Sequence, residues 1–125
     1  MDINSQKKIL IVDDDIICLN MTKMYFESKE ILVDFAINGS LALRMLPNSN
    51  YQLIIIDYQM PSLNGLQFLE ILRKNNYTNK VNIVMLSGEA NEDIVKEALR
   101  LGAKSVFDKN KLHENVYDKI SLYLE

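Results

Sequence analysis

The chain has 125 residues, with 14 Lys and Arg against 17 Asp and Glu, a net charge of −3, and 48% apolar residues. That balance excludes a disordered chain and fits a single globular domain over residues 1–125. It also disfavours nucleic-acid binding, because an acidic chain repels phosphate backbones.

Met1 to Lys8 lacks the basic-then-apolar pattern of a signal peptide. Ile9 to Val12 is a continuous apolar run and reads as a strand. Ile17, Met21, Met24 and Tyr25 follow at helical spacing, which predicts a helix with its Met and aromatic residues in the core. Cys18, the only cysteine, excludes an intramolecular disulfide and suits a reducing, cytoplasmic compartment. Ile31 to Ala36 predicts a second strand, and Asp34 within it points to a sheet edge. Asn38 is a suitable N-cap for a short helix striped by Ala42, Met45 and Leu46, which Pro47 to Asn50 then break. Leu53 to Ile56 predicts a third strand and falls far short of the roughly 20 residues of a membrane span. After Pro61 and Gly65, Leu66, Leu69 and Leu72 mark a third helix. Ile83 to Leu86 is the fourth strand, and Ile94, Ala98 and Leu101 the fourth helix, closed by Gly102. Val106 and Phe107 make a short fifth strand, and Leu112, Val116, Ile120 and Leu124 stripe a last helix to the chain end.

The strict alternation predicts an α/β fold: a (βα)5 doubly wound parallel sheet, flavodoxin-like, in strand order 2-1-3-4-5. Such sheets work at the carboxyl ends of their strands. The residues there are Asp13, Asp14 and Asp15 after the first strand and Asp57 after the third. Ser87 and Gly88 end the fourth, and Lys109 follows the fifth. Neighbouring first and third strands bring Asp13, Asp14 and Asp57 together. Three carboxylates in one pocket repel unless protonated or held by a cation, and oxygen ligands at a hydrated site suit Mg²⁺. An Asp beside such a cation can act as a nucleophile toward phosphorus, with a Ser hydroxyl and a Lys ammonium on the phosphoryl oxygens. Taken singly, each residue has a plainer reading: Asp13 to Asp15 as helix caps, Asp57 as a loop acid, Ser87 as a cap and Lys109 as a solvated lysine. Asp15 is assigned to the cap. The conjunction of four strand ends favours a site.

These residues carry a resemblance. Ile11-Val12-Asp13-Asp14-Asp15, Asp57-Tyr58-Gln59-Met60-Pro61-Ser62-Leu63-Asn64-Gly65, Met85-Leu86-Ser87-Gly88, and Gly102-Ala103 before Lys109 match one pattern. The chain resembles the receiver domain of two-component response regulators over essentially its whole length, and is similar in size to the chemotaxis members. The resemblance implies that Asp57 accepts a phosphoryl group from a phosphohistidine on a sensor histidine kinase or histidine phosphotransfer protein. It implies Mg²⁺ on Asp14, Asp57 and the Gln59 backbone carbonyl, with Asp13 acting mainly through coordinated water. Ser87 then moves to the phosphoryl group, Lys109 binds one of its oxygens, and Gln59 and Glu89 occupy positions that tune hydrolysis. The altered face of helix four, strand five and helix five meets a downstream effector or a fused output domain, or forms a phosphorylation-linked homodimer. The lone histidine, His113, reads as a surface residue rather than a donor.

Two positions depart from the family pattern. Asn110 follows Lys109 where a cis proline is usual, and a cis non-proline bond costs about 3–4 kcal/mol, so a trans bond is expected. That puts the reach of Lys109 in question, with Lys104 and Lys111 as substitutes. Val106 stands where many receivers have a mobile aromatic, and Phe107 points to the opposite sheet face. The alternatives are a phosphorylation-independent interaction module, a haloacid-dehalogenase-type phosphatase using Asp13, and a flavodoxin, whose phosphate loop the aspartates contradict. The exposed Glu92, Asp93, Lys96, Glu97 and Arg100 of the fourth helix read equally as a partner face or a solvated surface. Beyond Glu125 the chain reads either as a stand-alone receiver or as one domain of a longer protein.

Overall fold

Continuous apolar runs become strands here because helices cover them on both sides. The computed structural model describes residues 6–89 and 91–125, so most of the segment read for a signal-peptide pattern lies outside the described residues. Five parallel strands, β1 (Lys8–Val12), β2 (Leu32–Ala36), β3 (Leu53–Asp57), β4 (Asn82–Ser87) and β5 (Ser105–Asp108), run in the order β2-β1-β3-β4-β5. They alternate with α1 (Ile16–Ser28), α2 (Gly39–Met45), α3 (Gly65–Lys74), α4 (Glu92–Arg100) and α5 (Glu114–Ser121). This is the predicted (βα)5 arrangement.

Ile9, Ile11, Leu53, Ile55, Val84 and Leu86 form one buried layer with residues of α1 and α5. Leu10, Val12, Ile54, Ile56, Ile83 and Met85 form the other, with residues of α2, α3 and α4. Side chains alternate between faces along a strand, so each central strand feeds both cores. The same pleat sends Val106 to the α2–α4 side and Phe107 to the α1–α5 side. β2 is one of the two edge strands, and its Asp34 is satisfied by Lys8 at 3.1 Å and by the Tyr51 hydroxyl at 2.6 Å.

The caps follow the sequence. Asp15 accepts from the Ile17 and Cys18 N–H groups, and Asn38 from Leu41 N–H. Gly102, at φ +110°, follows the last residues of α4 and makes the left-handed turn into β5.

α1 corrects the predicted core. Ile17, Met21 and Met24 are 74%, 46% and 69% exposed, and the helix buries Cys18, Leu19, Thr22 and Phe26 instead. Both sets have helical spacing and differ by a small rotation. The buried set wins because it brings Phe26 against the sheet and Thr22 against α5, a choice that periodicity alone does not make. Tyr25 is half-buried and stacks on Tyr117 with ring centroids 5.0 Å apart. In α3, Phe68 is fully buried, whereas Leu66 of the predicted stripe is only partly so. The last helix starts after Leu112 and tightens into a 3₁₀ turn at Leu122–Leu124. No helix among the described residues is long and apolar enough to cross a membrane.

Candidate functional site

β1 and β3 pair in register, with Val12 beside Ile56, so the residues that follow, Asp13 and Asp57, emerge side by side. Asp13, Asp14 and Asp57 each place a carboxylate oxygen within 4.8 Å of the others. Asp13 and Asp57 are 1% and 2% exposed, whereas Asp14 is open to solvent. Lys109 spans the two buried acids, with its Nζ 3.0 Å from Asp13 Oδ1 and 3.0 Å from Asp57 Oδ2. The Asp15 N–H, at 2.9 Å, adds a second bond to Asp13 Oδ1. Asp13 Oδ2 is buried with no hydrogen-bond partner among the described residues.

The electrostatics follow from that crowding. Burial and the Asp13 charge push the Asp57 carboxyl up to about 6, although Lys109 opposes them. Burial works against the Lys109 ammonium, yet its bonds to Asp13 and Asp57 hold its pKa above the usual lysine range. Three carboxylates against one ammonium leave the pocket negative, and a buried carboxylate oxygen without a partner is costly. The donor set of hard oxygens therefore fits a hard divalent cation.

Asp57 opens into a cleft of about 960 Å³ that Asp14, Gln59, Glu89, Lys109 and Asn110 also line. The β3–α3 loop closes tightly against the strand end. A Cβ on Gly65 would lie 2.8 Å from the Asp57 carbonyl oxygen and 2.9 Å from Tyr58 Cα, so only glycine fits. Ser87, fully buried, turns its hydroxyl into its own loop, donating to the Glu89 carbonyl at 2.8 Å.

The pattern is one that other proteins share. A family model described as the response regulator receiver domain matches residues 9–121. The chain belongs to the response regulator receiver family. A probable chemotaxis protein CheY of Rhizobium etli is 29% identical, over 87% of this chain and 85% of that protein. The Regulator of RpoS of Escherichia coli is 33% identical over 89% of this chain, which spans only 34% of that longer protein. Among solved structures, a two-component response regulator of Clostridium difficile superposes with a TM-score of 0.87 at 27% identity, covering 95% of this chain and 96% of that one. The response regulator TrrA of Thermotoga maritima, solved in complex with Mg²⁺ and BeF, gives 0.82 at 25% identity, covering 95% and 100%.

Within this receiver the departures from the family pattern are structurally resolved. No cis peptide bond occurs among the described residues, so Lys109–Asn110 is trans as expected. Lys109 nonetheless reaches the acids, because Asp108 caps the 3₁₀ turn Lys109–Lys111 by accepting the Asn110 N–H at 2.9 Å. Neither substitute is needed. Lys104 lines a separate cleft with Leu46, Asn82 and Glu125, and Lys111 is exposed. His113 is exposed at the start of α5.

Sequence reasoning missed three contacts. Gln59 Nε2 donates to Glu89 Oε1 at 2.9 Å across the cleft mouth, and Asn110 Nδ2 donates to the Gly88 carbonyl at 3.2 Å. Beneath the pocket, Thr22 donates to the Cys18 carbonyl at 2.9 Å, so its single proton is used and Tyr117 donates to it at 3.0 Å. Thr22 is a polar residue in the buried stripe of α1, the one local signal for that bond.

Proposed function

We propose that this receiver is a phosphorylation-controlled switch in two-component signalling, with Asp57 as the phosphoacceptor. A carboxylate oxygen of Asp57 attacks phosphorus, the phosphorus–nitrogen bond of a donor phosphohistidine breaks, and the imidazole leaves with its electron pair. The donor belongs to a sensor histidine kinase or a histidine phosphotransfer protein.

Lys109 already lies 3.0 Å from Asp57, close enough to bind a phosphoryl oxygen there. It holds the attacking carboxylate in place and balances part of the charge that the transfer adds. Asp14 and Asp57, with the Gln59 carbonyl, would hold Mg²⁺, and Asp13 would act on it through water. Bound Mg²⁺ supplies charge neutralisation to the phosphoryl oxygens. Ser87 leaves its Glu89 contact to meet the phosphoryl group. The face of α4, β5 and α5 then shifts in population toward an arrangement that an effector, an output domain or a second copy recognises. Cys18, the single cysteine of the chain and a buried one, suits action in the reducing cytoplasm.

One observation carries this reading: a buried aspartate lining a cleft, ion-paired to Lys109 and flanked by an Asp13 oxygen without a partner among the described residues. Acetyl phosphate with Mg²⁺ is expected to add acid-labile phosphate to the wild type and none to Asp57→Asn. Equal labelling of both proteins, or none of either, refutes the assignment.

A further inference from the structure

The segment from Ser87 to Glu89 is tied down in three places. Ser87 Oγ donates to the Glu89 carbonyl at 2.8 Å and accepts the Glu89 N–H at 3.1 Å. Glu89 is held from the β3–α3 loop by Gln59 at 2.9 Å. Gly88 is held from the β5–α5 loop by the Asn110 amide at 3.2 Å.

A serine hydroxyl has one proton, and here it is spent on Glu89. That hydroxyl can donate to a phosphoryl oxygen on Asp57 only by giving up its bond to the Glu89 carbonyl, which the clasped loop holds in reach. Asn110 follows Lys109, whose ammonium grips Asp13 and Asp57. Its own N–H is fixed on Asp108 at 2.9 Å, so the backbone is anchored while the side chain reaches Gly88. The amide thus ties the lysine's loop to the serine's loop.

We propose that Asn110 is a positioning residue: its bond to the Gly88 carbonyl clasps the β4–α4 loop in the resting form and keeps the Ser87 hydroxyl turned away from Asp57. This rests on the proposed phosphoryl switch and names a residue that sets its threshold. The clasp lies at an exposed position, so its loss shifts the equilibrium modestly, by about two- to tenfold. Removing it favours the form in which Ser87 faces a phosphoryl group. It leaves the carboxylates that would hold Mg²⁺ untouched.

The test uses titration calorimetry of the wild type, Asn110→Ala and Asn110→Leu, first with Mg²⁺ alone and then with BeF₃⁻ at saturating Mg²⁺. Both variants lack the amide donor, and Leu keeps the bulk. BeF₃⁻ affinity is expected to rise about two- to tenfold in both, with Mg²⁺ affinity unchanged within about twofold. Asn110→Gln, which retains an amide, is expected to fall between them and the wild type. Unchanged or weaker BeF₃⁻ binding in both variants overturns the clasp. So does an equal rise in Mg²⁺ affinity, which marks general loosening of the pocket. A wild type that binds no BeF₃⁻ with Mg²⁺ overturns the proposed switch itself, and the clasp with it.

Discussion

Replacing Asp57 by Asn is expected to abolish phosphorylation while making the fold more stable. The Asp57 carboxyl is pushed from an ordinary 3.8 up to about 6, chiefly by burial and then by Asp13. That rise corresponds to about 3 kcal/mol of cost for the charged form in the folded state. The folded value lies above the unfolded one, so the folded protein binds the extra proton as pH falls through about 6. The penalty is full above that pH and vanishes below the unfolded value near 3.8. The Asp57→Asn variant lacks the charge at every pH but gives up the bond to Lys109, which keeps Asp13 as a partner. A net gain of about 1–3 kcal/mol is expected at about pH 7.5 in chelator. Urea unfolding of both proteins at about pH 7.5 and about pH 4.5 measures it. The gap should shrink by about 2 kcal/mol at the lower pH, and excess Mg²⁺ should narrow it at the higher pH by favouring the charged wild type. A variant no more stable than the wild type in chelator, or a gap that widens on acidification, would refute the charge-crowding argument.

Lys109→Ala leaves two buried carboxylates without their counter-charge and is expected to cost about 3–5 kcal/mol by urea unfolding. It should also slow labelling by acetyl phosphate, and wild-type labelling rates would count against the role assigned to it. Tyr117→Phe keeps the stacked ring and deletes the bond to Thr22, so a loss of about 1 kcal/mol is expected, with Mg²⁺ affinity unchanged. Met24→Ala should fall within about 0.5 kcal/mol of the wild type, whereas Phe26→Ala should cost about 3–5 kcal/mol. Equal effects at these two positions would restore the stripe that periodicity predicts for α1.

Much of this receiver is legible in the chain. The apolar runs at Ile9, Leu53 and Ile83 become fully buried strands because a strand covered on both faces has no polar side. Asp15 and Asn38 cap helices because the capped N–H groups lie two or three residues away. Asp13, Asp57 and Lys109 can be placed at one end of the sheet once the strand order is inferred, since each directly follows a strand or closes one. α1 is not legible in the same way. Its apolar residues lie on more than one side, so rotation about its axis is set by what α5 and β2 present to it.

The elements, their order and the strand-end acids are thus properties of the chain alone, because propensity, capping and periodicity act over a few residues. Only folding in three dimensions makes Thr22 meet Tyr117 across 95 residues and Asn110 meet Gly88 across 22. It also rests Ser87 on its own loop and leaves one oxygen of Asp13 without a partner among the described residues. Those outcomes depend on how separately formed elements settle against one another, within tenths of an ångström, and no local pattern in the chain encodes that fit.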